Sequence, residues 1–332
     1  MAVLVTGGAG YIGSHTVQYL QDRSENIVIV DNLQSGYAES VKVKDFYSID
    51  LRSERELSRV FKEHNISAVI HFAANSLVGE SMEKPYEYYH NNVFGMMTLL
   101  KVMKDHGTSK IVFSSTAATY GEPKESPITE NCPVNPTNPY GETKLAMERM
   151  MKWFDQAYGI RYVSLRYFNA AGAHYTGFIG EAHNPETHLI PLILQVPLGK
   201  RERIFIFGDD YDTEDGTCIR DYIHVMDLAS AHGKALDYLR KGNPSDIFNL
   251  GNGKGYSVKE VIETARKVTG HSIPAEVQER RPGDPAILVA SSEKAKNLLQ
   301  WEPRYEDLKT ILEDAWRWHR NHPEGYGTPR KL

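Results

Sequence analysis

Residues 2–13, AVLVTGGAGYIG, carry the segment that decides the fold. A run of apolar residues, 2–6, leads directly into Gly7, Gly10 and Gly13, spaced G-x-x-G-x-x-G, and a helical pattern begins at Tyr11. Glycine lets the backbone approach a phosphate closely, and a helix N-terminus offers free N–H groups to an anion. The segment therefore predicts a dinucleotide-binding turn, with a glycine-rich turn that binds no ligand as the alternative.

The pattern of strand followed by helix repeats through the first half of the chain. Short apolar runs rich in β-branched residues predict strands at 2–6, 27–31, 68–72, 110–115 and 162–166. Helical patterns lie between them at 11–23, 53–63, 91–105 and 139–158. Nearly continuous apolar strands alternating with helices are typical of a parallel sheet that is covered on both faces. The fold class predicted is α/β, a Rossmann-like, doubly wound parallel sheet.

The second half has a different pattern, richer in glycine, proline and aspartate. Strands are predicted at 205–207 and 247–250, and helices at 189–198, 226–239, 257–269 and 311–321. We therefore predict a domain at 1–167 that binds the cofactor and a smaller C-terminal α+β domain at 168–332 that binds the substrate. A later segment of the second half could return to the first sheet.

Composition excludes several classes of function. The 332 residues have a net charge of −5, and short basic doublets such as those at 280–281 and 330–331 form no basic stripe, so neither nucleic acid nor a membrane surface is an expected partner. Two distant cysteines predict reduced thiols, and with no leader or membrane-length apolar run we expect a cytoplasmic protein. His319 and His322 have helical spacing, but no carboxylate or thiol completes a metal-binding set with them, so no metal site is predicted.

Asp31 ends the second predicted strand, where an acidic residue can meet the 2′-hydroxyl of an adenosine ribose. Its carboxylate would repel a 2′-phosphate, and the following residues, 32–36, contain no arginine. The sequence therefore predicts NAD rather than NADP as the cofactor.

Tyr140 and Lys144 are four residues apart, so that on a helix their side chains share one face. A phenol with a pKa near 10 is a poor base at neutral pH, but a neighbouring ammonium and a cationic nicotinamide would favour its phenolate. The preceding strand ends in Ser114, Ser115 and Thr116, whose hydroxyls could relay a proton to a substrate. The pair predicts a base that removes a hydroxyl proton while hydride leaves the same carbon.

These motifs together are similar to the extended short-chain dehydrogenase/reductase family. Over essentially the whole chain the sequence resembles that family's UDP-glucose 4-epimerases, through segments 71–74 (HFAA), 88–93 (YYHNNV), 166–169 (RYFN), 217–225 (TCIRDYIHV), 281–284 (RPGD) and 316–326. The resemblance implies transient oxidation at C4 of a UDP-sugar, with NAD retained throughout, in the interconversion of UDP-galactose and UDP-glucose of galactose metabolism.

The resemblance also implies the residues of the site. The catalytic residues would be Tyr140, Lys144 and Thr116. The cofactor-binding residues would be Gly7, Gly10, Tyr11, Ile12, Gly13, Asp31, Asn32, Leu33, Ser35, Gly36, Asp50, Leu51, Phe72, Ala73, Ser76, Asn91, Ser114, Tyr140, Lys144, Tyr167 and Phe168. The substrate-binding residues would be Thr116, Tyr140, Asn169, His188, Leu189, Phe205, Ile206, Phe207, Arg220, Arg281, Asp284 and Leu288, with the two arginines holding the diphosphate.

Three positions depart from the best-known pattern of this family. Thr116 stands where some members have serine and keeps the hydroxyl, whereas Ser76 replaces a lysine that some members have near the cofactor. Leu288 stands where strict members carry a bulky tyrosine, so turnover of UDP-N-acetylhexosamines is a further possibility.

Other functions of NAD-binding proteins would need different residues. A nucleotide-sugar dehydratase needs an acid after Thr116, but Ala117 and Ala118 stand there. A decarboxylating synthase or an epimerase of UDP-uronic acids stays open, because sequence alone does not locate the cations that would hold a sugar carboxylate. A non-catalytic NAD-binding regulator is disfavoured, because Tyr140 and Lys144 are both present.

An apolar stripe on the helix at 91–105 suggests an interface. Part of this stripe, together with methionines of the helix at 139–158, is predicted to form a homodimer through a four-helix bundle; the alternative is that the whole stripe is core. Its residues are Val93, Met96, Met97, Leu99, Leu100, Met103, Met147, Met150 and Met151.

Overall fold

The computed structural model describes residues 1–281 and 284–327. Within them the strands are β1 Ala2–Thr6, β2 Ile27–Asp31, β3 Asp45–Ser48, β4 Ile66–His71, β5 Lys110–Thr116, β6 Arg161–Tyr167, β7 Asn169–Ala171, β8 Ile204–Phe207, β9 Ile219–His224, β10 Asp246–Leu250, β11 Gly255–Ser257, β12 Ala275–Gln278 and β13 Ile287–Leu288. The α-helices are α1 Tyr11–Asp22, α2 Glu54–Glu63, α3 Val78–Glu83, α4 Pro85–Tyr88, α5 Gly95–Asp105, α6 Pro139–Tyr158, α7 Leu189–Gln195, α8 Val225–Arg240, α9 Val258–Thr269, α10 Glu293–Leu299 and α11 Leu308–Asn321.

Seven parallel strands form the central sheet in the order β10-β6-β5-β4-β1-β2-β3. The chain winds outward from β1 in one direction and from β4 in the other, so the strand order reverses between these two strands. Such a reversal opens a crevice at the carboxyl ends of the strands, where ligands bind in this class of fold. The predicted α/β, doubly wound parallel sheet is confirmed.

Helices cover both faces of this sheet. One buried cluster joins the sheet to α1, α8 and Trp301, and a second joins it to α2, α5 and α6. The two cores explain why the central strands are apolar at nearly every position. Strand β3 escaped prediction because it lies at the sheet edge and is only half buried, so its sequence, DFYS, carries little apolar signal.

The remaining strands belong to smaller sheets. Strand β9 pairs with β7, β11 and β13, and β8 pairs with β12. Their core is packed against α7, α9 and α11. Helix α9 begins at a capping box in which Ser257 and Glu260 exchange hydrogen bonds with each other's backbone, which fixes where the helix starts.

Two elements of the second half return to the first sheet. Strand β10, predicted at 247–250, pairs with β6 at the sheet edge, and α8 packs on α1. The helix predicted at 91–105 is interrupted, because Tyr89–Phe94 forms a π-helix and regular α-helix begins only at Gly95. No helix in the described ranges is long and apolar enough to cross a membrane; the cytoplasmic location stays a prediction.

Candidate active site

The glycine loop between β1 and α1 is packed too tightly for side chains. Gly7 has a φ of +72°, and a Cβ there would lie 2.5 Å from the Ala73 nitrogen. A Cβ on Gly13 would lie 2.1 Å from the carbonyl oxygen of Gly7. The loop thus leaves its backbone and the start of α1, with Ile12, open to a phosphate. Tyr11 also contacts the second half, because its hydroxyl donates a 2.7 Å hydrogen bond to the Gly172 oxygen.

Asp31 holds two loops together at the carboxyl end of β2. One carboxylate oxygen accepts a hydrogen bond from the Ala9 nitrogen at 2.9 Å, and the other accepts from the Leu33 nitrogen at 2.8 Å. Burial raises the pKa of this carboxyl group, and the two backbone N–H groups oppose that rise. The predicted contact with the ribose would use the lone pairs that these two bonds leave.

The segment after β2 closes around the glycine loop. Leu33 adopts a φ of +57°, and Asn32 accepts a hydrogen bond from the Gln34 nitrogen. Ser35 shares a small cavity with Gly10 and Tyr11, while a Cβ on Gly36 would lie 3.0 Å from the Ala9 carbonyl carbon. These predicted cofactor residues therefore lie beside the phosphate-binding turn.

Asp50 and Leu51 follow β3 on the same side of the sheet. The Asp50 carboxylate is 2.5 Å from the Arg52 guanidinium, and this hydrogen bond lowers the pKa of Asp50. Leu51 packs at the margin of the core below α5. Asp50 is thus already paired with a cation that the sequence analysis did not single out.

Tyr140 and Lys144 lie on the first turns of α6, which Asn138 caps by accepting a hydrogen bond from the Gly141 nitrogen. Both side chains are buried, and the Lys144 Nζ atom is 5.8 Å from the centre of the Tyr140 ring. Lys144 donates to the Ser114 carbonyl oxygen at 2.8 Å, and the Thr116 hydroxyl is close enough to the Tyr140 hydroxyl to lower its pKa. The end of β5 and the start of α6 therefore bring the predicted catalytic residues together.

The electrostatics of this group correct one expectation. Burial raises the pKa of Tyr140 to about 12, and the Thr116 hydroxyl opposes this rise. Burial also lowers the pKa of Lys144 to about 7, against an opposing effect of Glu148. The predicted lowering of the Tyr140 pKa is absent in the protein alone, where the net effect of the surroundings is a rise and the pKa of Lys144 is itself lowered; the prediction included the cationic nicotinamide of the complex.

Behind the site lies a buried polar network that the sequence analysis missed. Glu148 is one helical turn after Lys144 and forms an ion pair with Arg166, whose guanidinium is 2.6 Å away. Ser115 donates a 2.5 Å hydrogen bond to the same carboxylate. The spacing of four between Lys144 and Glu148 was the signal available in the sequence.

The other residues predicted to bind the cofactor border the crevice from neighbouring elements. Phe72 and Ala73 follow β4, and their nitrogens donate to the Thr6 oxygen at 2.9 and 3.2 Å. Tyr167, at the end of β6, shares a 2.5 Å hydrogen bond with the Ser114 hydroxyl. Phe168 is partly buried, Ser76 is exposed, and Asn91 donates to Asn92.

The predicted nucleotide end forms around β8 and β9. Arg220 forms an ion pair with Asp284, and the Arg281 guanidinium carbon is 4.0 Å from the centre of the Phe207 ring. The structure therefore brings the diphosphate and ribose residues together, but it joins Arg220 and Asp284 directly. Phe205 and Ile206 lie on the same strand as Phe207; Pro282 and Gly283, part of the RPGD resemblance, lie outside the described residues.

The residues predicted to contact the sugar are spread over several loops. Asn169 begins β7, and Leu189 begins α7, with His188 as the residue that precedes that helix. Leu288 packs against a small buried cluster of Tyr120, Ile128 and Cys132. The backbone register of β13 and β9 places Leu288 beside Arg220.

A second group of titratable side chains was also missed. Glu181, His183, Glu186 and His188 each point one ligand-type atom into a common space, with all four atoms within 4.8 Å of one another. The prediction of no metal site had considered His319 and His322, which do not belong to this group. The sequence signal was the E-x-H-x-x-E-x-H spacing itself.

Comparison with known proteins identifies the family. A family model described as the NAD dependent epimerase/dehydratase family matches residues 3–251. The chain belongs to this family. NAD, predicted as the cofactor from Asp31, is confirmed, because the family is NAD dependent, and the predicted enzymatic function is confirmed with it.

Individual relatives extend the likeness over the whole chain. A UDP-glucose 4-epimerase of Halalkalibacterium halodurans is 63% identical over 331 residues, which cover 100% of this chain and 99% of the relative. A crystal structure of a UDP-glucose 4-epimerase has 58% identity and a TM-score of 0.97, over 99% of this chain and 100% of that one. The Bifidobacterium longum enzyme, solved with NAD+ and UDP, has 41% identity and a TM-score of 0.92, over 98% and 100%. The resemblance predicted from the motifs is confirmed.

Proposed function

We propose that this member of the family interconverts UDP-galactose and UDP-glucose by transient oxidation at the sugar C4. The observation that carries the proposal is the buried group of Tyr140, Thr116 and Lys144 at the crevice of the parallel sheet. The glycine loop and Asp31 lie at the same edge, where they fit a dinucleotide. High identity to UDP-glucose 4-epimerases over the full chain supports this substrate.

The residues of the chain handle the proton. Tyr140, as a phenolate, takes the proton of the C4 hydroxyl, and Thr116 holds phenol and substrate in line through its own hydroxyl. NAD, when bound, supplies the hydride acceptor at C4 and a positive charge that favours the phenolate. Lys144, held by the Ser114 carbonyl, favours the same phenolate once it is protonated. Tyr140 later returns the proton to the C4 oxygen.

The opposite end of the site binds the nucleotide. Arg281, over the Phe207 ring, and Arg220, beside Asp284, present guanidinium groups whose planar donors suit a diphosphate. Because Asp284 already neutralises Arg220, substrate binding would exchange part of that ion pair for phosphate oxygens. The two arginines are proposed to retain the UDP group while the oxidised sugar turns.

The test is turnover without added cofactor. Purified protein is incubated with UDP-galactose, the products are separated, and the nucleotide released by denaturation is identified. We expect an equilibrium mixture with UDP-glucose and NAD in the denatured protein. Absence of UDP-glucose, with NAD still present, would overturn the assignment of the substrate and direct attention to UDP-uronic acids and UDP-N-acetylhexosamines.

A second substrate class is favoured by Leu288. Its side chain packs against the Tyr120 cluster, as Phe168 does, and leucine fills less space than the tyrosine expected in strict members. The additional acetyl group of a UDP-N-acetylhexosamine needs space, and the smaller leucine leaves it. We therefore propose that UDP-N-acetylhexosamines are also accepted.

The organisation of the chain is part of the proposal. We propose that residues 1–167 bind NAD and 168–332 bind the nucleotide sugar, with α8 and β10 returning to the first sheet.

We further propose a homodimer through the outer faces of α5 and α6. Six residues of the predicted stripe form its core part and do not line the proposed interface: Met96, Leu99, Leu100, Met103, Met147 and Met151. Met97 and Trp153 nevertheless stay 46% and 66% exposed, beside Phe94 and Tyr158. Exposed apolar side chains concentrated on two helices support an interface. Sedimentation as a monomer at micromolar concentration would refute it.

A further inference from the structure

The loop before α7 brings four potential metal ligands together within eight residues, Glu181 to His188. The Nδ1 atom of His183 lies 3.1 Å from Glu181 Oε1 and 3.5 Å from Glu186 Oε2. The Nδ1 atom of His188 lies 3.1 Å from Glu181 Oε1 and 2.8 Å from Glu186 Oε1. Each imidazole nitrogen therefore faces both carboxylates.

Hydrogen bonding accounts for only part of this arrangement. A single N–H group has its best hydrogen-bond geometry with one oxygen, so one such bond alone does not account for the approach of each imidazole nitrogen to two carboxylates. The His183 Nδ1 atom is buried, and among the described residues no hydrogen bond of acceptable geometry reaches it. The four imidazole-to-carboxylate separations are near the spacing of about 3.3 Å between ligand atoms bound tetrahedrally to an ion at about 2.0 Å, and the whole set, whose atoms lie within 4.8 Å of one another, would contract slightly around an ion.

We propose that Glu181, His183, Glu186 and His188 bind one divalent transition-metal ion, with Zn²⁺ as the best-suited ion. Two imidazoles and two carboxylates favour zinc over magnesium or calcium, which prefer sets made of oxygen alone. Four protein ligands leave no coordination position for a substrate, which is typical of a structural site; His188 would then bind the ion in place of the substrate contact predicted for it from the sequence. The ion would neutralise two carboxylates, of which Glu181 has only 4% of its side chain exposed.

The position of this site suggests what the ion would hold in place. The His183 ring lies edge-on against the Tyr11 ring, with 6.0 Å between their centres, and both line a small cavity beside Gly10. His188 immediately precedes α7, whose buried face belongs to the core of the second half. A bound ion would therefore fix the loop that precedes α7 in its position against the glycine loop. We expect the ion to stabilise the folded chain.

The experiment uses the full-length protein with its NAD, treated with a chelator that is then removed. Co²⁺ is added as a spectroscopic probe, and binding is followed by visible absorption and calorimetry. We expect one Co²⁺ per chain, intense bands typical of four-coordinate cobalt, displacement by Zn²⁺ but not by Mg²⁺, and a higher melting temperature with metal.

A double variant and a single variant test the proposed ligands. The double variant His183→Ala/Glu186→Gln should lose at least about 100-fold in affinity, more than the 10- to 100-fold that loss of an outer-shell partner costs. His188→Gln, a change at a half-exposed side chain, tests the site with little risk to folding. His271→Gln/Glu276→Gln, on the surface of the second half, is the matched control and should bind as the unchanged protein does.

Two results would overturn the proposal: no saturable Co²⁺ or Zn²⁺ binding by the folded protein at micromolar concentration, or binding that His188→Gln and the double variant leave unchanged. Melting curves and NAD content establish that each variant is folded. Epimerase activity is not the readout, so failure of the metal site and failure of the proposed reaction are distinguishable.

Discussion

The Nζ atom of Lys144 lies 2.8 Å from the carbonyl oxygen of Ser114, so the helix that carries Tyr140 is joined to the end of strand β5. This bond fixes the amine beside the phenol whatever its charge. A lysine held in this way can favour the Tyr140 phenolate without closing a direct ion pair, and a phenolate would in turn hold the proton on the lysine.

Tyr140→Phe should retain NAD and UDP-sugar binding but lose turnover by several orders of magnitude, because no other group in the site replaces the phenolate as base. Turnover and NAD content are measured on the same preparation. Tyr158→Phe, at the exposed end of the same helix, is the matched control and should turn over normally. Near-normal activity in Tyr140→Phe would contradict the proposed role.

Lys144→Met should lower the rate and move the rising part of the pH–rate profile to higher pH. In the protein alone burial, opposed by the Thr116 hydroxyl, raises the pKa of Tyr140 to about 12, and loss of the lysine charge removes a group that would lower it in the complex. The rate deficit should therefore be larger at pH 7 than at pH 9. Lys152→Met, exposed on the same helix, should leave the profile in place; an unchanged profile in Lys144→Met would show that Lys144 does not tune the phenol.

Glu148→Gln should destabilise the fold by about 3–5 kcal/mol, because it leaves the buried Arg166 charge without its partner. Urea unfolding followed by fluorescence gives the free energy of unfolding. The double variant Glu148→Met/Arg166→Met removes both charges and should recover much of the loss. A cost below about 1 kcal/mol for Glu148→Gln would mean that Arg166 is compensated elsewhere.

The chain should lose stability in mild acid, in part through His232. Burial lowers the pKa of this imidazole from 6.5 to about 4. Above pH 6.5 both folded and unfolded forms are neutral; as pH falls toward 4 the unfolded state binds the proton first, so stability falls over this window, by roughly 3 kcal/mol on the basis of about 1.4 kcal/mol per pKa unit. His232→Gln should flatten the dependence of unfolding free energy on pH.

The control for His232 is His271→Gln, which removes an exposed imidazole and should leave the pH dependence unchanged. Equal slopes for His232→Gln and the unchanged protein between pH 6.5 and 4 would show that burial of His232 does not contribute.

Leu288→Tyr should reduce turnover of UDP-N-acetylgalactosamine far more than that of UDP-galactose, because the larger ring fills space beside the Tyr120 cluster. The ratio of kcat/KM values for the two substrates is the measurement. Leu298→Tyr, on an exposed face of α10, serves as the control. If the unchanged protein already turns over only the hexose, the proposed second substrate class is wrong.

The sequence predicted those features that depend on local periodicity and short motifs. The glycine loop, Asp31 and the spacing of Tyr140 and Lys144 are each set by residues within one turn or one strand end, and the structure brings them to the same edge of the sheet. Alternation of apolar strands with amphipathic helices predicted that sheet, because strands covered on both faces must be apolar throughout. Half-buried β3 carried too weak a signal to be found.

Only the tertiary structure decided the features that depend on distant segments or on burial. It placed α8 and β10 on the first sheet, paired Arg220 with Asp284, and assigned most of the methionine stripe to the core. It also set the charges. Lys144 would lower the pKa of the Tyr140 phenol when charged, but burial lowers the pKa of Lys144 itself. Sequence spacing fixes which groups can meet, but solvent exclusion, which exists only after packing, decides their protonation.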